Sequence, residues 1–373
     1  MSKAPLPKLI IASSDHDADM LYATGFFVPD PFIFLQQGKR STIVLSDLEI
    51  DRGRKEATVD KIVAYSAISK RLKKGKDANF LEHAVAFLQE RKVRRAAVPS
   101  SFPLGLATGL EKAGIKLVPQ PGLFWPEREH KTAEELKLMK QALVITEAGM
   151  ARGVEVLRAA KIGPQRVLRW NGKPLTSEIL RAEIDSAILR AGGVPANTIV
   201  AGGEQACDPH ERGHGPLRGN ELIILDIFPR AAGSGYFGDL TRTVVRGKAS
   251  SAQRDLWETC FEGQTRALNA IKPGRPGKEV QDAVRAFFTE RGYPTEQRKG
   301  RWSGFFHGLG HGLGLEIHES PRVGATTFHP GQVVTVEPGI YVPGLGGVRH
   351  EDVVTITKTG IRLLSSHPKP FEI

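Results

Sequence analysis

LDIFPRAAGSGYFGDLTRTVV, residues 225–245, sets one aspartate inside an apolar, β-branched run and a second at the head of another such run. VEPGIYVPGLGGVRHEDVVTI, residues 336–356, does the same with two glutamates. Asp226 and Asp239 stand 13 residues apart, and Glu337 and Glu351 stand 14 apart. Outward from each stretch the pattern also repeats. LKLMKQALVITEAGMARGVEVLRAA (136–160) and TSEILRAEIDSAILRAGG (176–193) carry helical periodicity ahead of the first pair. QRDLWETCFEGQTRALNAI (253–271) and GKEVQDAVRAFFTERGY (277–293) do so ahead of the second. Helix, helix, strands, occurring twice with a period of about 110 residues, reads as an internal duplication. Thr132 followed by Glu135 forms a capping box that starts the first helix.

The region before this repeat reads differently. KLIIAS (8–13), PFIFLQ (31–36), STIVLS (41–46) and RRAAVPS (94–100) have strand character, whereas ANFLEHAVAFLQERK (78–92) and LGLATGLEKAG (104–114) have helical spacing. LVPQPGLFWPEREHKT (117–132), rich in proline and polar residues, marks the boundary. The expected organisation is α+β: a small mixed α/β domain over 1–125 and a duplicated domain over 130–373.

Bulk properties restrict the function. The 373 residues are 40% hydrophobic and 25% charged, as in ordinary soluble domains. No apolar run of about 18 residues predicts a membrane span, and the N-terminus lacks a signal-peptide core, so a cytoplasmic protein is expected. Cys207 and Cys260 have no metal-ligand spacing. The net charge of +11 raises nucleic acid as a partner. Its densest basic cluster, KRLKKGK at 70–76, has no interleaved aromatics and reads as a solvated face, so nucleic acid is not expected.

Carboxylates buried in apolar strands must be paired, protonated or bound to metal. Any one of the four taken alone could be an edge-strand acid facing water. Four in matched pairs, folded face to face, carry a charge of about −4 that two divalent cations neutralise. A dinuclear hydrolytic centre follows, in which a hydroxide bridging two ions attacks a carbonyl. Oxygen-rich ligation with one imidazole suits Mn, Fe, Co or Zn, and the residues do not choose among them.

The imidazole comes from HGLGHGLGLEIHE, residues 307–319. Glycines at 308, 310, 312 and 314 would each weaken a helix by about 1 kcal/mol, so an extended strand is expected, with His307 and His311 on one face. His318 faces the other way unless a turn or bulge intervenes. One of the three ligates and the others line the cavity. No HExxH motif is present to suggest a zinc helix. The paired acids complete the charge without Glu316 and Glu319. His210, in the turn-rich AGGEQACDPHERGHG (201–215), lies just ahead of the Asp226 strand and joins the candidates.

LDIF…GYFGDLTRT, HGLGHGLGLEIHE, TVEPGIY and GGVRHEDVV, in this order, resemble the metallopeptidase family of pita-bread fold (family M24), which includes Xaa-Pro aminopeptidases, prolidases and methionine aminopeptidases. The resemblance covers about 130 to the C-terminus. The first 125 residues, with MLYATGFF, are similar to the creatinase-like domain that precedes the catalytic one in prolidases and Xaa-Pro aminopeptidases. The resemblance implies that Asp226 is a terminal ligand of one metal, that His311 and Glu337 hold the other, and that Asp239 and Glu351 bridge both. It implies two divalent ions, manganese first, with cobalt, iron or zinc as the other choices. His210 and His318 would bind substrate and stabilise the tetrahedral intermediate, Glu337 would shuttle a proton, and His307 and Arg349 would shape the proline side. The implied activity is hydrolysis of an Xaa-Pro peptide bond, in a homodimer, with release of the N-terminal residue. Phe228 stands where the family has glycine, the loop to Asp239 is about two residues longer, and Glu211 follows His210; these departures bear on substrate shape. The competing readings are a non-catalytic binding protein on the same scaffold and a creatinase-type or lyase relative with another substrate.

Overall fold

The computed structural model of the chain describes residues 5–72 and 75–373, and it separates into two compact units, Met1–Arg128 and Glu129–Ile373. In the first unit a six-stranded sheet runs in the order Lys61–Ala64, Arg40–Leu45, Phe32–Gln37, Lys8–Ala12, Arg95–Pro99, Lys116–Gln120. The middle strands are antiparallel and both flanks parallel. Period-two alternation fills both faces. Leu9 and Ile11 join Phe87 and Leu88 of the helix Phe80–Glu90, while Ile10 joins Met20, Phe26 and Phe34 on the other side.

The four strands expected from sequence form. The two edge strands, Lys61–Ala64 and Lys116–Gln120, lack the alternation that marks the others, and the second carries Pro119, tolerated at an edge. That second strand occupies part of the segment expected to be a linker. Of the basic cluster at 70–76, Lys73 and Lys74 lie outside the described residues, as do the first four residues of the chain.

In the second unit the helix Ala133–Ala159 starts at the Thr132–Glu135 capping box, with both reciprocal hydrogen bonds made. Ser177–Arg190 follows, capped by Thr176. A three-stranded antiparallel sheet comes next, ordered Ile199–Gly202, Leu222–Ile227, Leu240–Val245. The second half repeats the sequence with helices Ser251–Ala270 and Gly277–Glu290. Its sheet has the order Glu319–Arg322, His311–Gly312, Val333–Val336, Asp352–Ile356, Ile361–Leu363. A hairpin, Gly339–Val342 with Gly346–Arg349, stands between the two acids of this half.

The halves meet along Leu240–Val245. Glu351 N donates to Thr241 O (3.1 Å), and Arg349 N donates to Thr243 Oγ1 (3.0 Å). Beside this seam the buried Arg242 guanidinium donates to Asp352 Oδ1 (2.9 Å) and to the His367 carbonyl (2.6 Å). Asp352 also holds Lys369 at 2.5 Å, which ties the C-terminal segment to the seam.

Two expectations change. Only Asp226 lies within a strand; Asp239 precedes Leu240–Val245, Glu337 follows Val333–Val336, and Glu351 precedes Asp352–Ile356. Strand ends suit these carboxyls because the ladder stops there and side chains from both sheets can converge. The stretch 307–319 is not a continuous strand either. Within it only His311–Gly312 and the terminal Glu319 are in strands, with a register shift between His311 and Gly312, and residues 313–318 turn irregularly. A methyl group at Gly310 would run into the Thr335 carbonyl, and one at Gly312 into the Ser320 carbonyl. Close backbone approach, rather than extension, accounts for these glycines.

Candidate metal centre

Asp226 is delivered by a central strand, so its carboxyl emerges between Ile199 and Thr241 of the neighbouring strands. Asp239, His311 and Glu351 bring one ligand atom each to within 4.8 Å of one another. His311 Nε2 lies 3.1 Å from Glu337 Oε1 and 3.7 Å from Asp239 Oδ2. Thr241 Oγ1 sits 2.9 Å from Asp226 Oδ1 and 2.8 Å from Glu351 Oε2, so one hydroxyl links a carboxyl from each half. Asp226, Asp239, His311 and Glu351 are buried, and Glu337 is half-buried.

Burial and mutual repulsion dominate the electrostatics. Burial, then the charge of Asp226, pushes the Asp239 carboxyl well above the ordinary range. Burial and then the charges of Asp239 and Glu337 do the same to Glu351. Burial also acts to raise Glu337, but the hydrogen bond and charge of His311, with His307 and Arg349, hold it down at about 2. Burial acts to lower His311, and the hydrogen bond and charge of Glu337 more than reverse that. Divalent cations would supply the positive charge that the buried, mutually repelling carboxyls of Asp239 and Glu351 call for. The His311 ring fits the same purpose. Its Nδ1 faces the Gly312 carbonyl at 3.1 Å, so the neutral ring would keep its proton there and offer Nε2 to a bound cation. Thr335 Oγ1 accepts from His311 N (3.0 Å) and donates to Glu337 Oε1 (3.1 Å), fixing these two neighbours together.

The centre opens into a cavity of about 1050 Å³ bordered by all nine positions singled out in the sequence: His210, Asp226, Asp239, His307, His311, His318, Glu337, Arg349 and Glu351. His318 reaches it because the chain between 313 and 318 bends back, and its ring meets that of His311 edge-on at 4.4 Å. Burial, and then the charge of His311, lowers His318 to about 4; burial likewise lowers His307 to about 4. Both rings are therefore neutral near pH 7. Arg349 does more than border the cavity: Nη2 donates to Asp226 Oδ2 (2.8 Å) and Nη1 to the Tyr341 hydroxyl (2.8 Å). That hydroxyl also lies 3.0 Å from His307 Nε2.

Tyr341 and Thr241 join the site without having been singled out, although both lie inside the motifs EPGIY and DLTRT. Arg212, Arg322 and Gln281 also border the cavity, and no motif marked them.

A duplicated αβ unit whose two sheets converge on acidic groups and one histidine defines a pita-bread metallopeptidase. The model of Metallopeptidase family M24 matches residues 137–358, and the chain belongs to that family. The Xaa-Pro dipeptidase of Pyrococcus furiosus is 34% identical over 248 residues, covering 63% of this chain and 62% of that protein. Thus the alignment spans just under two thirds of that relative. The Xaa-Pro dipeptidase of Pyrococcus horikoshii is 31% identical over 286 residues, 73% of each protein. Among solved structures, the Xaa-Pro dipeptidase from Bacillus anthracis superposes with a TM-score of 0.82 at 25% identity, covering 98% of this chain and 95% of that one. The pita-bread architecture thus extends over the second unit, preceded by the α/β unit.

Proposed function

We propose that the protein is a divalent-metal peptidase that hydrolyses the bond before proline and releases the N-terminal residue. The convergence of four carboxyls and one histidine at the base of a peptide-sized cavity carries this reading, and the Xaa-Pro dipeptidase relatives support it. Asp226, Asp239, His311, Glu337 and Glu351 would hold two ions, manganese first among manganese, cobalt, iron and zinc. When bound, such ions supply Lewis acidity and lower the pKa of water. Glu337, ionised down to about 2, takes the proton released on attack and delivers it to the leaving prolyl nitrogen. His318, neutral near pH 7, donates a ring N–H to the developing oxyanion, and His210 does so from the facing loop. Arg349, Tyr341 and His307 form a hydrogen-bonded wall that holds the Asp226 carboxyl in place and bounds the proline side.

The first unit is read as the creatinase-like domain, and the assembly as a cytoplasmic homodimer; gel filtration tests the dimer. Activity is tested with Xaa-Pro dipeptides and Xaa-Pro-Xaa tripeptides in the presence of Mn, Co, Fe or Zn. Cleavage before proline is expected, and cleavage of dipeptides alone would identify a prolidase. Absence of cleavage in both classes with every metal contradicts the proposal.

A further inference from the structure

Glu319 ends the stretch that carries His307, His311 and His318, yet it lies outside both the metal cluster and the cavity wall. Its carboxylate meets the ammonium of Lys131, Nζ to Oε1 at 2.5 Å, with 2% and 1% of the two side chains exposed. Lys131 stands just before the Thr132 cap, and its own N donates to Gly331 O (2.8 Å), so the ammonium projects from a fixed backbone. The other oxygen of Glu319 turns back along the chain and accepts from Glu316 N (3.3 Å), while Glu316 O accepts from Gly314 N (3.2 Å). A side chain at Gly314 would collide with the same carboxylate, so the turn is wrapped around it. The entrance of the bend is held separately, by Leu313 N donating to Val333 O (3.3 Å) and Phe237 N to Gly314 O (2.8 Å). Its far end carries His318. The ring of His318 meets that of His311 edge-on and, among the described residues, makes no hydrogen bond. Its position is therefore set by the backbone.

Burying an ion pair incurs a desolvation cost that apolar side chains avoid, so stability alone does not account for this one. What the pair does determine is the path of residues 314–318. Resting on the peptidase reading, we propose that Lys131 and Glu319 are positioning residues for His318: the buried pair pins the bend that aims the imidazole at the developing oxyanion. Neither residue touches substrate. A shift of about 1 Å in a catalytic group is enough to slow a reaction by about 100-fold. The hydrogen bond at stake forms in the transition state, so its loss falls on kcat and leaves KM in place.

The test is the double variant Lys131→Met/Glu319→Gln, which removes both charges at once and leaves no buried charge uncompensated. Its melting temperature is expected to equal or exceed that of wild type, and its bound manganese per chain to match. With Ala-Pro and added manganese, kcat is expected to fall by at least about tenfold while KM stays within about twofold. A general loss of structure or of metal would not split the constants in this way. Combination with His318→Ala shows through which residue the pair acts. In that background the double change is expected to alter kcat by less than about twofold, because the bend then has nothing to aim. Should His318→Ala fall below detection, a crystal structure of Lys131→Met/Glu319→Gln decides, with the His318 ring expected to lie about 1 Å or more from its wild-type position. Full kcat in the double variant, a fall in its melting temperature or bound manganese, an equal loss with and without the His318 side chain, or an unmoved ring overturns the assignment. A wild type inactive on Ala-Pro and on Xaa-Pro-Xaa tripeptides removes the peptidase reading, and this inference with it. An active wild type beside an unaffected double variant removes this inference alone.

Discussion

Asp239 and Glu351 are held above their ordinary values by burial and by neighbouring carboxylates, so in the metal-free chain they favour folding while protonated. Their contribution is fully present below the unfolded carboxyl range near pH 4 and is lost as pH rises through the folded values. Glu337, held at about 2, acts oppositely: its contribution is present above the unfolded value and lost as pH falls toward 2. Comparison with Glu351→Gln, which stays neutral throughout, isolates one group. The melting temperature of chelated wild type minus that of chelated Glu351→Gln is expected to fall as pH increases from 5 to 8. Saturating manganese should remove the slope, because the cation then supplies the compensating charge. A flat difference in chelator would contradict the electrostatic account. The acidic pairs were legible in the sequence because charged residues stand out inside apolar runs. Thr241 and Tyr341 were not, since their hydrogen bonds to Glu351 and Arg349 depend on side chains brought together by the fold.

The segment around His311 is shaped by what lies against it. Gly310 faces the Thr335 carbonyl and Gly312 the Ser320 carbonyl, whereas Gly308 meets only Gln281 Oε1, at 3.8 Å. Gly310→Ala is therefore expected to cost about 1–3 kcal/mol of stability, as for overpacking against a fixed neighbour. The same change should cut peptidase activity by displacing His311. Gly308→Ala should stay close to wild type in both respects. Chemical denaturation and kcat measured side by side check this, and equal effects at 308 and 310 would refute the close-approach explanation. The alternation of glycines correctly excluded a helix, but it suggested a longer strand than forms. Steric exclusion by a distant backbone has the same sequence signature as extension. The helix Ala133–Ala159 was readable from its local cap at Thr132, whereas the Ser250 cap of Ser251–Ala270 was not singled out. The hairpin between Glu337 and Glu351 lay within motifs that were read for Glu337, Arg349 and Glu351 and not for their turn.

At the scale of the whole second unit, two αβ halves each supply two acids, and only their apposition makes a site. The seam at Leu240–Val245 sets that apposition, with Arg242 and Asp352 buried beside it. The duplication and the order of motifs were visible in sequence because the repeat preserves spacing. The way each half ends its strands at the acids was not, since strand ends depend on where the opposite sheet interrupts the ladder. The central claim is that the ring of Asp226, Asp239, His311, Glu337 and Glu351 holds catalytic metal. Its most direct test is titration of chelated protein with manganese, following bound metal per chain and Ala-Pro hydrolysis together. Hydrolysis is expected to be absent in chelator and to return as binding approaches two ions per chain. In Asp239→Asn, both binding and hydrolysis should fall by at least about 100-fold, beyond the 10–100-fold typical of outer partners of a metal ligand. Full hydrolysis in the chelated protein, or in Asp239→Asn without bound metal, would contradict the account.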